Sequence, residues 1–420
     1  MPNESVVHRH LARQVEHWIN ASRRLGRLEN FASPEAWGRL ERYLGVSLRD
    51  HLRGVVSRLA IRGDALQAML RSAQSDADFD AVRQQLLAFR RHYLRAETTI
   101  DFYTDAINTR TNAAQGAMLR ACDTLAYRSM ASILEPLGHQ TPIALTYLRP
   151  GLGAAILKAN LRLWDGGALS PVAAIKIVQH NLERPTALVH EAGHQIAHIV
   201  DWNRELAAAL EKGLTSAASP VASMWGGWAS EIAADAVAFA LTGYGSVVAL
   251  HDVVASEPRF VFQVVPGDPH PMSFLRVLLG VHMCRLAWGA GPWDALATAW
   301  QACYPAARAP EGIRSIVTAS LPVLPEIARL AIATPMRAFK GRSLVDIASP
   351  DRVSPQALLD LELRLGPALY SSSHWIWTEC LRLLALSALH AAESPASSGA
   401  RAEQRPENWM LRLGGAAQAA

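Results

Sequence analysis

Thr186-Ala187-Leu188-Val189-His190-Glu191-Ala192-Gly193-His194 is the stretch on which the reading of this chain turns. Residues four apart on a helix stand one turn apart on the same face. His190 and His194 therefore project together, and their imidazoles can converge on one metal ion. Glu191, beside the first histidine, is placed to face a water bound to that metal. His198 lies two turns from His190, about 12 Å along the axis, so the three histidines cannot share one ion. His198 is expected to support the site from behind or to sit in the core, and a third ligand has to come from elsewhere.

Downstream, Trp228-Ala229-Ser230-Glu231-Ile232-Ala233-Ala234-Asp235-Ala236-Val237-Ala238-Phe239 reads as a second, strongly apolar helix carrying two acids one turn apart. Burying an unpaired carboxylate is expensive, so both acids need partners. Glu231 can be the third zinc ligand. Asp235 can accept a hydrogen bond from the non-ligating N–H of a zinc-bound histidine, expected to be His190, and so fix its tautomer. Three protein ligands and one open position describe a catalytic Zn2+ site rather than a structural one.

His190, Glu191, His194, Glu231 and Asp235, with 36 residues between His194 and Glu231, resemble the zinc metallopeptidases of the gluzincin type, in which HExxH on one helix is followed by ExxxD on the next. The resemblance spans about residues 170 to 285. A metzincin pattern would need histidine at position 200, which is Val200. The resemblance implies hydrolysis of peptide bonds: zinc polarises the scissile carbonyl and acidifies its water, and Glu191 takes the water proton and delivers it to the leaving amine. A further donor should stabilise the oxyanion. His270, held between Pro269 and Pro271 with Asp268 and Arg276 nearby, is one candidate, and Tyr244 is another. A turn or helix-cap role is the alternative for His270, and an ordinary structural role is the alternative for Tyr244. The resemblance also implies an edge strand ahead of the active-site helix that binds extended substrate. Ala173 to Val178 stands there, with Ile175 and Ile177 as the substrate-binding positions, and a core strand without ligand is the other reading.

Outward from this core, Val6 to about Glu135 carries apolar residues at spacings of three and four, as in Val82, Leu86, Phe89 and Tyr93, and reads as helical. Breaks are expected near Ser33-Pro34, Arg62-Gly63-Asp64 and Ser75-Asp76. Short β-branched runs punctuated by Gly and Pro between Gly138 and Gln179 suggest a small sheet. Helical periodicity resumes at Pro185 and continues to about Leu389. The expected architecture is mainly α (α+β): an N-terminal helical region (1–137), a zincin-like core with a small β-sheet beside the HExxH helix (138–300), a C-terminal helical region (301–392) and a flexible tail (393–420), from which Trp409-Met410-Leu411 could dock back.

Composition bounds the rest. With 420 residues, half of them hydrophobic, the chain can build a large core, which excludes wholesale disorder. A net charge of +4, from 41 basic and 37 acidic residues, gives no ground for a nucleic-acid partner. Cys122, Cys284, Cys303 and Cys380 form no CxxC pair, so neither a disulfide framework nor a thiolate zinc site is indicated. No secretory signal is read, because Met1 to His17 carries charges and histidines throughout, and no membrane span, because the apolar run from Phe274 to Trp293 is interrupted by Arg276, His282 and Arg285. A soluble cytoplasmic enzyme is expected, with signal-independent export the alternative. Trp225 and Trp228 either wall the cleft or pack, Trp375 and Trp377 are expected in the C-terminal core, and His180 and His282 are read as ordinary. The expected function is a zinc-dependent peptidase acting on a restricted protein or peptide substrate. A non-catalytic zinc-binding scaffold or a helical interaction module is the alternative.

Overall fold

The computed structural model describes residues 6–151, 154–157, 162–163, 168–214, 219–393 and 404–419. In chain order its elements begin with α1 (Val6–Leu25), α2 (Pro34–Leu44), α3 (Leu48–Ser72), α4 (Asp76–Asn108) and α5 (Ala113–Leu134). Five short strands follow: β1 (Ala144–Leu148), β2 (Ala155–Leu157), β3 (Arg162–Leu163), β4 (Ala168–Leu169) and β5 (Ala173–Ile177). The remaining helices are α6 (Ala187–Ile199), α7 (Trp202–Gly213), α8 (Ser219–Gly227), α9 (Ala229–Thr242), α10 (Tyr244–Val254), α11 (Pro258–Val261), α12 (Ser273–Trp288) and α13 (Pro292–Cys303). Next come α14 (Glu311–Ser320), α15 (Leu324–Ile332), α16 (Leu344–Ile347), α17 (Pro355–Leu365), α18 (Ala368–Ser371), α19 (Ser373–Thr378), α20 (Cys380–Glu393) and α21 (Gln404–Ala419). Of the described residues 77% are helical and 4% lie in strands, so the mainly helical expectation holds.

Two compact units emerge, Met1–Asn112 with Ala159–Val172, and Ala113–Lys158 with Ala173–Ala420. The expected boundary at residue 137 therefore moves: α5 belongs to the second unit, where it packs on α6, β1 and α21. No boundary falls at residue 300 either.

In the first unit, local chemistry starts the helices where the sequence signals them. Ser33 accepts from the Ala36 amide at 3.2 Å, with Pro34 at the first helical position of α2. Ser75 and Asp78 form a reciprocal capping box at α4, which satisfies otherwise orphaned amides. The break expected at Arg62-Gly63-Asp64 does not occur, and α3 runs straight through it. Gly63 instead meets Ile19 of α1 and Phe89 of α4, each about 3.4 Å from where its Cβ would stand. Here glycine permits a close helix approach at a modest propensity cost.

In the second unit, three strands form a sheet in the order β1-β5-β2, with β5 parallel to β1 and antiparallel to β2. The buried Asp123 carboxylate of α5 ties down β1, accepting from the Thr146 amide at 2.6 Å and its hydroxyl at 2.7 Å. The C-terminal segment corrects the expectation of a flexible tail: residues 404–419 are helical, and Trp409, Met410 and Leu413 are fully buried. Arg120 of α5 donates to the Gly414 carbonyl at 2.8 Å. A Cβ at Gly414 would overlap the Ala117 carbonyl, so α21 lies directly on α5. Residues 394–403 of the expected tail lie outside the described residues. None of the four cysteines forms a disulfide. Glu311–Ile332 is long and apolar enough to cross a membrane by length and composition, with 44% of its apolar window buried inside the protein.

Candidate metal centre

Two helices hold the centre, and a glycine sets their spacing. α6 and α9 pack face to face, and Gly193 within the HExxH turn lies against the backbone of Ala234. A Cβ at Gly193 would stand 2.8 Å from the Ala234 Cα and 3.0 Å from its carbonyl oxygen. That approach brings His190 and His194 of α6 against Glu231 and Asp235 of α9.

The three expected ligands converge. One ligand atom from each of His190, His194 and Glu231 lies within 4.8 Å of the other two. His194 Nε2 is 3.1 Å from Glu231 Oε1, and His190 Nε2 is 3.4 Å from Glu231 Oε2. Glu231 is 4% exposed, and its buried Oε2 accepts no hydrogen bond of good geometry. Buried polar atoms are ordinarily satisfied; Oε2 has the Arg276 guanidinium at 3.1 Å and His190 Nε2 at 3.4 Å beside it, while Oε1 faces His194, so the carboxylate between two imidazoles fits a cation site. The group could hold a metal ion. Two imidazoles and a carboxylate suit zinc, and the same donors occur in iron(II) sites.

Around the ligands, partners fix orientation. Asp235 Oδ1 accepts from His190 Nδ1 at 2.8 Å, as the spacing predicts. Ser230 Oγ lies 3.3 Å from His194 Nδ1; the sequence reading did not single this residue out. Arg276 of α12 is more central than its sequence position suggested. Its Nε and Nη2 donate to the two Asp235 oxygens at 2.6 and 2.8 Å, and Nη2 reaches 3.1 Å from Glu231 Oε2 and 3.5 Å from His190 Nε2.

This charge network sets the protonation of the metal-free site. Burial opposes charge on His190, but hydrogen bonds to Asp235 and Glu231 outweigh it and raise the imidazole to about 10. Burial likewise works against the Asp235 carboxylate, yet the Arg276 charge and hydrogen bonds hold it down at about 2. Glu231 is depressed in the same manner, with the two histidines and Arg276 overcoming its desolvation. Glu191 goes the other way: burial dominates and raises its carboxyl above the ordinary value, despite the neighbouring histidines. A carboxyl displaced upward in a cleft suits a proton acceptor working near neutrality.

His270 joins the centre and Tyr244 does not. His270 Nδ1 is 2.5 Å from Asp268 Oδ1, and Nε2 is 3.6 Å from Glu231 Oε1, with the ring on the open side of the cleft. Tyr244 is buried edge-on against Trp293, 5.8 Å between ring centres, and does not line the cleft. Burial pushes its hydroxyl up to about 12, in keeping with packing.

The substrate strand also differs from expectation. Ile175 and Ile177 are fully buried on β5, which is the central strand and pairs on both sides, Ile175 with Thr146 and Ile156. β2 is an edge of the sheet instead, and Ala154 just before it lines the cleft. Trp225 is buried and donates to Ser320 Oγ at 3.1 Å. Like Trp228, it packs away from the cleft lining. His180 and His198 are exposed, and burial lowers His282 to about 4. In the C-terminal region Ile376 is buried between a half-buried Trp375 and an exposed Trp377, so the tryptophans do not form the core expected of them.

The cleft encloses about 260 Å³ and is lined at one end by His190, Glu191, Glu231, Asp235, His270 and Arg276. Comparison with protein-family models, with curated proteins and with solved structures finds no match for this chain.

Proposed function

We propose that the chain is a zinc-dependent peptidase with a zincin-like core, acting on a protein or peptide substrate. The observation that carries this reading is the convergence of His190, His194 and Glu231 in a cleft that also holds the buried carboxyl of Glu191. A bound divalent metal would supply an activated water and a Lewis acid for a carbonyl. With such a metal bound, Glu191 would be the group that accepts a proton from the attacking water and returns it to the leaving nitrogen as the C–N bond breaks. Its raised proton affinity favours the first transfer. Asp235 holds the His190 ring through Nδ1, leaving Nε2 directed at Glu231.

His270, braced by Asp268, offers Nε2 as a donor to the oxyanion. β2 offers a sheet edge on which an extended peptide can add as a strand. A purely structural or scaffolding metal site would have no use for Glu191, which ligates nothing, and this favours the catalytic reading over a non-catalytic one.

Elemental analysis and cleavage together test the proposal. One zinc per chain is expected, lost in His194→Ala and Glu231→Ala. Cleavage of a complex peptide mixture, read by mass spectrometry, should vanish in Glu191→Gln while zinc is retained. Zinc without cleavage of any peptide would leave only a metal-binding scaffold, and absence of zinc after reconstitution would overturn both readings.

A further inference from the structure

A second cavity, of about 400 Å³, opens on the other side of α9. Ala240 and Leu241 of α9 line it. At roughly 100° per residue they stand about 140° one way and about 120° the other way around the helix from Asp235, which faces the metal cleft. Among the described residues the two cavities share no lining residue. α5, the single helical turn Pro350–Val353 and the start of α20 complete the wall. A space of this size falls in the range of roughly 300–1,000 Å³ that takes small organic ligands.

Among the described residues lining this cavity, the charged side chains are Arg128, Arg352, Arg382, Glu135 and Glu379. Glu379 is shared, one oxygen, Oε2, lying 3.3 Å from Arg382 Nη1 and 3.8 Å from Arg352 Nη2. Arg382 commits its other nitrogens to structure: Nε donates to the Arg352 carbonyl at 2.9 Å and Nη2 to the Ala357 carbonyl at 3.0 Å. It contributes charge rather than free donors. Arg352 and Arg128 differ. The Arg352 side chain is 70% exposed, and its one ion pair is the 3.8 Å contact. Arg128, half-buried beside the Cys380 thiol, forms no ion pair among the described residues. Glu135 is exposed and accepts from the Thr141 hydroxyl at 3.4 Å, so solvent screens its charge.

One half-buried carboxylate thus faces three guanidinium groups, and like charges crowded into a partly buried space disfavour one another. Arg382 registers the imbalance. Burial lowers its proton affinity below the ordinary arginine value, Glu379 opposes the shift, and Arg352 and Arg364 add to it. A dianion would relieve this, because three positive charges less one leave two to neutralise. The planar guanidinium fork matches phosphate oxygens, and a phosphate monoester carries about −1.5 to −2 charge at neutral pH. The rest of the wall includes Ala131, Ala240, Leu241, Ile347 and Val353, an apolar surface suited to an organic group rather than to a hydrated ion.

We infer that this cavity is a second ligand site, separate from the metal centre, that binds a small phosphate monoester: Arg128 and Arg352 hold the phosphate, Arg382 adds charge, and the apolar wall covers the organic group. The site stands independently of the peptidase reading. Phenyl phosphate, inorganic phosphate and benzoate would be titrated calorimetrically into the full chain, freed of zinc by chelation, at about pH 7.5, where the ester is largely a dianion. Phenyl phosphate should bind one to one and roughly tenfold tighter than either of the others, which lack the organic group or the second charge.

Arg352→Met and Arg128→Met should each weaken phenyl phosphate roughly tenfold or more, the worth of a lost bond to a charged group. Arg352 is exposed, so its variant should melt like the parent and keep folding defects out of the comparison. His194→Ala, which disables the metal centre, should leave the affinity for phenyl phosphate unchanged. Inorganic phosphate or benzoate binding as tightly as the ester would overturn the monoester assignment. Failure of phenyl phosphate to bind, an affinity undiminished in both arginine variants, or binding lost in His194→Ala would overturn the site itself.

Discussion

Gly193 and Ala234 touch backbone to backbone, and a Cβ on Gly193 would come within 2.8 Å of the Ala234 Cα. The two residues sit between the histidine pair of α6 and the acid pair of α9, so this contact sets the separation of the donors. Alanine would ordinarily favour a helix over glycine by up to about 1 kcal/mol. Here the added methyl has no space, and overpacking typically costs about 1–3 kcal/mol. Gly193→Ala should therefore lower the unfolding free energy in urea and weaken zinc binding at the same time. A variant as stable as the parent, with parental zinc affinity, would show that the helices do not depend on this approach.

Arg276 occupies an unusual place, a guanidinium 3.1 Å from a carboxylate oxygen of the proposed third ligand and paired through two bonds to Asp235. In the metal-free protein it is the chief countercharge for two buried acids. Arg276→Met should destabilise the metal-free chain by about 3–5 kcal/mol, the usual cost of stranding a buried charge. The same change removes a positive charge from the metal's surroundings, so zinc should bind more tightly than in the parent and the zinc-induced rise in melting temperature should be larger. Weaker zinc binding in this variant would mean that Arg276 positions the ligands more than it repels the ion.

Opposite pH trends are expected for stability and metal binding. In the folded metal-free chain Asp235 is depressed to about 2 from an ordinary 3.8. Its contribution is present above pH 3.8 and is lost as pH falls toward 2. His190 is raised to about 10 from 6.5. Its contribution is complete below pH 6.5 and declines as pH rises toward 10. The stability of the metal-free protein should therefore peak between about pH 4 and 6.5 as far as this centre governs it. Zinc needs a neutral imidazole and must displace the proton on His190, so zinc affinity should rise across pH 6 to 9 with measurable proton release. Calorimetry in buffers of different ionisation enthalpy counts those protons, and a release near zero at pH 7 would show that His190 is already neutral.

The candidate site was legible in the sequence because a four-residue spacing on a helix dictates a shared face, and the pairs His190–His194 and Glu231–Asp235 both obey that rule. Contacts made across long separations were not. Arg276 is 41 residues from Asp235, and nothing in local periodicity announces the pairing. The sequence leaves β5 open between an edge and a core strand because strand order is a tertiary property: Ile175 and Ile177 look the same whether one neighbour pairs or two, and the structure decides for the core strand. Gly63 was read as a helix break, although its lack of a side chain serves a helix crossing. Tyr244 follows a glycine with φ 60 and packs on Trp293, a partner 49 residues away that a linear reading could not choose.

The C-terminal helix α21 supplies the last test. A small-residue stretch precedes it, which hides its role, yet Trp409, Met410 and Leu413 are fully buried and Gly414 lies on the Ala117 carbonyl. α5, the surface it covers, also packs on the HExxH helix α6. Trp409→Ala should cost about 3–5 kcal/mol through the cavity it leaves, and Gly414→Val should be destabilising because its side chain has no room. Truncation after residue 403 would expose the apolar face of α5 and should produce a chain that binds apolar dyes and melts at lower temperature. If the truncated chain melted like the parent, α21 would be a passenger rather than part of the core that supports the metal centre.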